Sequence, residues 1–324
     1  MLLSESKASK YALFFCLLVL ASVAVFFVHF PVLKAQAHFI DDDQYLHNNP
    51  LVQNPGWNSV RTFFAEVSDP STVRGYYQPL SMVSLMLDYA RGESVDNLKQ
   101  FHLTSLLLHI ANTVLIIILL YLLFDDYWLA FGLGLIFGLH PVTVEPIAWI
   151  SDRKTLLASF FSFSCLTSYI FYVRTRTWNI YAICLLAFIL GLLSKPTIVS
   201  IPIIIILLYI CPLKRFKKTT LLEKIPFLAV SLTLGIVSFI SQFAHAGKES
   251  SQEISINLFG YPLVMCQNIA HYLVSFVMPM GRPIYSPFPN DVSITMWPFL
   301  WSFFFVTIIA VVLIFSLKKT YSLS

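Results

Sequence analysis

Long apolar runs constrain this sequence more than any other feature. Eight such runs carry few charged side chains: residues 11–33, 101–124, 127–146, 155–173, 178–193, 197–211, 226–243 and 296–317. Runs of roughly 20 residues cross a bilayer as α-helices, whereas the strands of a membrane barrel are about half as long and alternate in polarity. Hydrophobic residues make up 57% of the chain, which is more than a soluble protein of this size could bury. The sequence therefore predicts an all-α polytopic membrane protein.

The segment 258–278 differs from the eight runs because it mixes apolar residues with Pro262, Gln267, Asn268 and His271. This composition is only partly compatible with lipid. We expect a helix that lies at the outer surface or re-enters it, which gives eight full spans and one half-buried helix.

The distribution of basic residues predicts the orientation. Arg174, Arg176 and the cluster 214–218 lie in short loops on the same side if the N-terminus is cytoplasmic. Cytoplasmic loops carry an excess of lysine and arginine, so this side is assigned to the cytoplasm. We predict three regions: residues 1–33 with the first span, an extracytoplasmic loop 34–100, and a membrane domain 101–324. Within the loop, residues 79–90 are expected to form a short helix on the membrane surface.

Polar groups collect on the predicted outer face. They are the acidic residues Asp41, Asp42, Asp43, Glu145 and Asp152, the histidines His102 and His140, and the basic residues Arg153, Lys154, Lys195 and Arg282. Any one of them could simply extend to the interface from the end of a span. Carboxylates beside several cations at a lipid–water boundary, however, suit an enzyme that handles a phosphate-linked lipid. The cations would hold the phosphate while a carboxylate takes a proton from an acceptor hydroxyl.

A metal site is not indicated by the histidines. His102 and His109 lie seven residues apart in one predicted helix, which places them about 10 Å apart on the same face. A hydrogen-bonded role between helices is the better explanation. No metal is assigned and no cofactor is obligatory, although a divalent cation could bind the acidic cluster. The net charge of +4 requires no nucleic-acid partner.

Several short motifs occur in a fixed order along the chain. They comprise Phe39, Ile40, Asp42, Asp43, Asn49 and Pro50; Tyr77, Pro79 and Leu80; Phe101, His102, Leu103, His109 and Asn112; His140, Pro141, Glu145, Trp149, Ile150, Ser151 and Arg153; Ser194, Lys195 and Pro196; and residues 285–289. This order resembles the membrane portion of the transmembrane-and-tetratricopeptide-repeat O-mannosyltransferases and their bacterial relatives, within the C-type glycosyltransferase superfamily. The block 140–153 is the most specific part of the resemblance.

The resemblance implies a function and a set of roles. A mannose-like sugar would pass from a polyprenyl- or dolichyl-phosphate donor to a hydroxyl of a protein or glycan on the extracytoplasmic or luminal face. Asp42 or Asp43 would be the base, and Arg153, Lys154 and Lys195 would face the donor phosphate. Asp41, His102, His140, Glu145 and Arg282 would support the site. The implied partners are the lipid-linked donor, the acceptor and membrane lipids, and a bacterial inner membrane is favoured over the endoplasmic reticulum.

The chain also departs from the family pattern. It lacks the tetratricopeptide repeats, the last spans of the module are expected to be absent, and Gln78 stands where a basic residue is expected. Two alternatives therefore stay open. One is a carrier or flippase of lipid-linked sugars, which would show two related halves and broken helices at mid-membrane. The other is a truncated, non-catalytic membrane scaffold.

Overall fold

The computed structural model describes residues 7–36, 41–67, 73, 76–92, 94–95, 97–210, 222–246, 260–279 and 296–322. Every regular element among these residues is helical, which confirms the predicted all-α class. The α-helices are α1 Lys7–His29, α2 Pro50–Gln53, α3 Trp57–Ala65, α4 Pro79–Gly92, α5 Leu98–Phe124, α6 Tyr127–Leu139, α7 Val144–Ala148, α8 Arg153–Thr175, α9 Trp178–Ser194, α10 Ile201–Ile210, α11 Ile225–Ala246, α12 Gly260–Val277 and α13 Trp297–Ser322.

Short tight turns join several of these helices. They are the 3₁₀ turns Phe30–Lys34, Pro141–Thr143, Ile150–Asp152 and Pro196–Ser200, and a π-helical turn at Asp43–His47. Three of the 3₁₀ turns have proline in the first two positions, where the missing N–H is not needed for a helical hydrogen bond. These turns matter for function because most of the predicted polar groups lie on or beside them.

Five helical stretches in the described residues are long and apolar enough to cross a membrane. They are Ala8–Lys34, Leu98–Phe124, Ile150–Thr175, Ile225–Ala244 and Trp297–Ser316. The chain is thus an integral, multi-pass membrane protein. Helices Trp178–Ser194 and Pro196–Leu208 are apolar but shorter, so the predicted total of eight full spans stays a prediction.

The predicted continuous span 127–146 is wrong in one respect. The structure ends α6 at Leu139, and the helix pair Tyr127–Leu139 and Pro141–Ala148 bends by 52°. His140 adopts an extended backbone conformation between the two parts, and its Nδ1 accepts the backbone N–H of Val142 at 3.2 Å. Proline after His140 disfavours the helical conformation at that residue. Beyond the bend, α7 and the turn Ile150–Asp152 lead the chain to the start of α8.

Small residues allow α6 to approach its neighbours closely. A Cβ added to Gly134 would lie 2.1 Å from Ile117 of α5, and one added to Gly138 would lie 2.8 Å from Thr113 of α5 and from Val25 of α1. Close backbone approach of this kind is a usual way for membrane helices to associate. The Nε2 atoms of His29 and His109 both donate to the Gly138 carbonyl, at 3.0 and 2.9 Å. The predicted hydrogen-bonded role of His109 between helices is confirmed.

The region between α1 and α5, which contains α2, α3 and α4, folds into a small core of its own. Tyr45, Leu46, Phe63 and Leu85 are among the buried side chains that pack together there with Phe101 of α5 and Ile150. Helix α4 forms where predicted, and its location at the membrane surface stays a prediction. Its residues Pro79, Ser81, Met82, Leu85, Met86 and Asp88 are buried, because α4 packs against α2, α5 and α9.

The chain divides into two compact units, Met1–Glu249 and Ser250–Ser324. The second unit contains α12 and α13, which pack against each other. The helix predicted at 258–278 is present as α12, and its position relative to the membrane stays a prediction. All of the site described below belongs to the first unit.

Candidate active site

The start of α8 organises the polar groups of the segment between α1 and α5. Trp149 has an extended backbone, and the 3₁₀ turn Ile150–Asp152 leads directly into α8. Successive residues on a helix point about 100° apart. Asp152, Arg153 and Lys154 therefore leave the helix in three directions, and only Arg153 is fully buried.

Asp42 ties the acidic stretch to this helix start. Its side chain is only 1% exposed, and its Oδ1 accepts the backbone N–H of Ser151 at 2.9 Å. The two residues are 109 positions apart in the sequence. A carboxylate that accepts a backbone N–H at a helix start is held by a charge-assisted hydrogen bond. This contact fixes the π-helical turn Asp43–His47 against α8.

Asp43 is the accessible member of the acidic pair. Its side chain is 46% exposed, and its Oδ1 lies 3.5 Å from Nδ1 of His47 one helical turn later. Asp41 is partly exposed, and its backbone carbonyl accepts the N–H groups of Gln44 and Tyr45. Asp42 is thus held in the interior while Asp43 is open to a ligand.

Lys154 is the cation that faces the acidic turn. Its Nζ donates to Oη of Tyr45 at 3.0 Å, and it lies 5.4 Å from the centre of the Tyr76 ring. Tyr45 is 2% exposed and also receives Nε2 of Gln78 at 2.5 Å. Burial raises the pKa of Tyr45, so its hydroxyl stays neutral at physiological pH.

Lys195 reaches the same region from the end of α9. Its Nζ donates to Oγ1 of Thr155 at 2.7 Å and lies 3.8 Å from Oδ1 of Asp152. Thr155 in turn donates to Asp152 Oδ1 at 2.5 Å. Burial lowers the pKa of Lys195, Asp152 opposes this effect, and the charge of Lys154 lowers the pKa further. The two lysines are close enough to affect each other electrostatically.

Arg153 does not join these lysines. Its side chain is 0% exposed, and its guanidinium donates to Asp88 Oδ2 at 2.7 Å, to Ser84 and Ser105, and to the Phe101 carbonyl at 2.6 Å. The prediction that Arg153 holds the donor phosphate is not supported by this geometry, because its donors are directed into the protein. Its place is structural, between α8, α4 and α5.

The remaining predicted site residues are scattered. His102 is buried and its Nε2 donates to the Ala35 carbonyl at 3.2 Å, so it joins α5 to the segment after α1. His140 lies at the bend after α6 and acts as the N-terminal cap described above. Glu145 is exposed on α7 and affects the charge of Lys195. Arg282 and residues 285–289 lie outside the described residues.

No metal-binding cluster of three or more His, Cys, Asp or Glu side chains occurs in the part of the chain that the structure describes. A divalent cation at Asp41–Asp43 therefore stays an untested expectation. Among the described residues, Lys154 and Lys195 are the cations that lie beside the acidic turn and Asp152 without being directed into the interior as Arg153 is.

Neither Tyr45 nor Thr155 is predicted from the sequence as a residue of this site, and Gln78 stands out there only as a departure from the family pattern. Tyr45, Gln78 and Thr155 each contact one of the lysines or the residue that holds it. Tyr45 could have been found from its position inside the acidic stretch, three residues after Asp42. Thr155 had no signal beyond its place one residue after Lys154.

Comparison with known proteins gives partial matches. The chain is 30% identical over 172 residues to a protein O-mannosyl-transferase of Caenorhabditis elegans, F38B6.6, which is 51% of this chain and 24% of the worm protein. It is 30% identical over 149 residues to human protein O-mannosyl-transferase TMTC2, covering 45% of this chain and 18% of the human protein. The Drosophila melanogaster Tmtc2 protein is 26% identical over 174 residues.

The chain thus matches about a quarter or less of the length of these relatives. No family model matches the chain, and no solved structure matches it. About half of this membrane protein is similar to curated protein O-mannosyl-transferases, which supports the resemblance drawn from its motifs.

Proposed function

We propose that this chain is an integral-membrane glycosyltransferase that moves a mannose-like sugar from a polyprenyl- or dolichyl-phosphate donor to a hydroxyl of a protein or glycan. One observation carries the proposal. The Asp42–Ser151 and Tyr45–Lys154 contacts hold the acidic pair against the start of α8, where Lys154 and Lys195 also lie. A proton acceptor and two cations thereby share one site at the end of membrane-spanning helices.

The proposed reaction divides the work between these groups. A carboxylate of the Asp42–Asp43 pair takes the proton of the acceptor hydroxyl as its oxygen bonds to the anomeric carbon of the sugar. The bond between that carbon and the phosphate oxygen breaks, and the polyprenyl phosphate leaves with the electron pair. Lys154 and Lys195 stabilise the charge on this leaving group. As the resemblance to the superfamily implies, the transfer is a single displacement that inverts the configuration at the anomeric carbon. The reaction takes place on the extracytoplasmic or luminal face.

A metal ion is not essential to this proposal. Ammonium groups can neutralise a phosphate that leaves with one lipid chain, and a divalent cation bound at Asp41–Asp43 would add to the same effect. Asp41, His140 and Glu145 are proposed to support the site without contacting the reacting atoms.

The names of the relatives support the transfer of mannose to a protein, since each is called a protein O-mannosyl-transferase. The membrane is proposed to be a bacterial inner membrane or the endoplasmic reticulum. A carrier or a scaffold could have the same polar site without transferring sugar. Measuring sugar transfer therefore distinguishes the proposed enzyme from these two alternatives.

The test is incorporation of labelled mannose from mannosyl-phosphoryl-polyprenol into proteins of membranes that contain this chain. We expect Asp42→Asn to be expressed normally, because asparagine Oδ1 can still accept the Ser151 N–H. Asp43→Asn should also be expressed normally, because the Asp43 side chain is 46% exposed. The variant that removes the base should lose about 10²–10⁴ in rate. Asp41→Asn should have a smaller effect, because Asp41 lies before the acidic pair in the family pattern.

Asp125→Asn is the matched control. Asp125 lies at the opposite end of α5 in a left-handed conformation with φ 55°, which asparagine tolerates. Its substitution should leave transfer unchanged. Full activity of both Asp42→Asn and Asp43→Asn at normal abundance would overturn the assignment of the base.

A further inference from the structure

The two lysines of the site differ in what surrounds their charges. Lys195 has a carboxylate oxygen of Asp152 at 3.8 Å. For Lys154, no carboxylate among the described residues lies within ion-pair distance, and its neighbours are the Tyr45 hydroxyl and the Tyr76 ring. The charge of Lys154 is therefore less compensated by nearby carboxylates than that of Lys195. The position of the Lys154 ammonium depends instead on the neutral side chains of Tyr45 and Tyr76.

The Tyr45 contact is made through the hydroxyl. Lys154 Nζ is 3.0 Å from Oη but 4.9 Å from the ring centre, so the ammonium approaches the oxygen end of the side chain rather than the ring face. An ammonium has three N–H donors. One is used by Tyr45, which leaves the others for an anionic ligand.

Gln78 fixes the orientation of this hydroxyl. The Gln78 side chain is 2% exposed, and its Nε2 lies 2.5 Å from Tyr45 Oη, while its Oε1 has no hydrogen-bond partner among the described residues. Gln78 Nε2 and Lys154 Nζ both donate to Tyr45 Oη, so the hydroxyl oxygen is held between the amide and the ammonium.

We propose that Tyr45 is a positioning residue that holds the Lys154 ammonium toward the phosphate of the lipid-linked donor, with Gln78 orienting its hydroxyl. This inference rests on the proposed function. It also explains why a buried tyrosine lies inside the acidic stretch: it lets Lys154 approach the acidic pair without being neutralised by it. Since Tyr45 stays protonated, the contact persists over the working pH range.

The test uses Tyr45→Phe, which keeps the ring and removes the hydroxyl. The probe is a short-chain polyprenyl monophosphate, and its dissociation constant is compared with that of the uncharged polyprenol of the same length. We expect Tyr45→Phe to weaken binding of the monophosphate about three- to tenfold, the effect of one hydrogen bond, and to leave binding of the polyprenol unchanged. In the transfer assay the donor KM should rise while kcat changes little.

Tyr77→Phe is the matched control. Tyr77 is a neighbouring buried tyrosine of the same loop, and its hydroxyl donates to the Phe64 carbonyl at 3.1 Å, away from the lysines. Loss of the Tyr77 hydroxyl should change the dissociation constant of the monophosphate less than twofold. A double-mutant cycle with Lys154→Met then isolates the contact: Tyr45→Phe should have no further effect when Lys154 is absent.

The outcomes separate this inference from the function it rests on. If Lys154→Met weakens monophosphate binding tenfold or more and Tyr45→Phe does not, the inference fails and the function stands. A Tyr45→Phe effect that persists in the Lys154→Met background would show a merely structural role and also overturn the inference. If Lys154→Met leaves binding unchanged, the phosphate role of Lys154 in the proposed function fails, and the inference fails with it.

Discussion

At the scale of single residues, Lys195 offers a pH-dependent signature. Burial lowers its pKa, and the nearby charge of Lys154 acts in the same direction, while Asp152 partly offsets both. Lys195 therefore loses its proton at a lower pH than an ordinary lysine. A phosphate that depends on this ammonium should bind more weakly as the pH rises through the alkaline range.

We predict that the donor KM of the wild-type protein rises with pH already below the usual lysine pKa of about 10.4, because burial lowers the pKa of Lys195. Lys195→Arg should move this rise to higher pH, because arginine stays protonated throughout. The measurement is donor KM against pH for both proteins. Lys99→Arg, at an exposed position on α5, is the control and should follow the wild type. Superimposable profiles for wild type and Lys195→Arg would contradict a phosphate role for Lys195.

The sequence identified the chemical groups of the site better than their partners. Asp42, Asp43 and Lys195 stand in the motifs described above, and Lys154 directly follows the motif that ends at Arg153. Arg153 and Lys154, however, are adjacent, and nothing local distinguishes the one that points inward. Arg153 points inward because it pairs with Asp88, which lies 65 positions away in the sequence. The Asp88 carboxylate comes within reach only after α4 packs against α5 and α8.

At the scale of helices, Arg153 joins three elements by hydrogen bonds. Its guanidinium reaches Asp88 and Ser84 of α4 and Ser105 and the Phe101 carbonyl of α5. Thr104 of α5 donates to the other oxygen of Asp88 at 2.7 Å. Both charged side chains are almost completely buried. Removing one partner would leave an unpaired charge in the interior, which is more costly than losing the pair.

We predict that Asp88→Ala destabilises the protein by about 3–5 kcal/mol. Arg153→Met combined with Asp88→Ala should destabilise it less than Asp88→Ala alone, since no buried charge is then left unpaired. The measurement is the midpoint of thermal unfolding in detergent together with the yield of folded protein.

Arg91 provides the control for this pair. It also approaches Asp88, at 3.8 Å, but its side chain is 64% exposed. An exposed ion pair contributes about 0–1 kcal/mol, so Arg91→Met should have a small effect. A double variant no more stable than Asp88→Ala would show that the buried pair is not the source of the loss.

Helix positions were predictable to within a few residues where the apolar pattern is long, as for 101–124 against Leu98–Phe124. The pattern failed at 127–146 because apolar residues continue through a bend. It predicted α4 but not the packing of this helix against α2, α5 and α9. An amphipathic helix has an apolar stripe whether it faces lipid or protein. Hydrophobic periodicity alone cannot separate these environments.

At the scale of the whole molecule, the two ends of α8 have different chemistry. The first end carries Lys154 beside the acidic turn. The other end carries Arg176, which pairs with Glu223 at 2.9 Å, and lies near Lys224, whose Nζ donates to the Tyr169 hydroxyl. A helix of 23 residues is about 34 Å long, enough to separate these groups by a membrane.

The orientation predicted from the basic loops assigns the Lys154 end to the outside and the Arg176 end to the cytoplasm. Cysteines introduced at Asn58 of α3 and at Thr177, both exposed in the structure, test this assignment. An impermeant maleimide added to intact cells should label Asn58→Cys and should label Thr177→Cys only after permeabilisation, with the unsubstituted protein as the blank. Labelling of Thr177→Cys from outside would reverse the orientation. The acidic pair and both lysines would then face the cytoplasm, and the extracytoplasmic placement of sugar transfer would have to be abandoned even if the contacts at the site are as described.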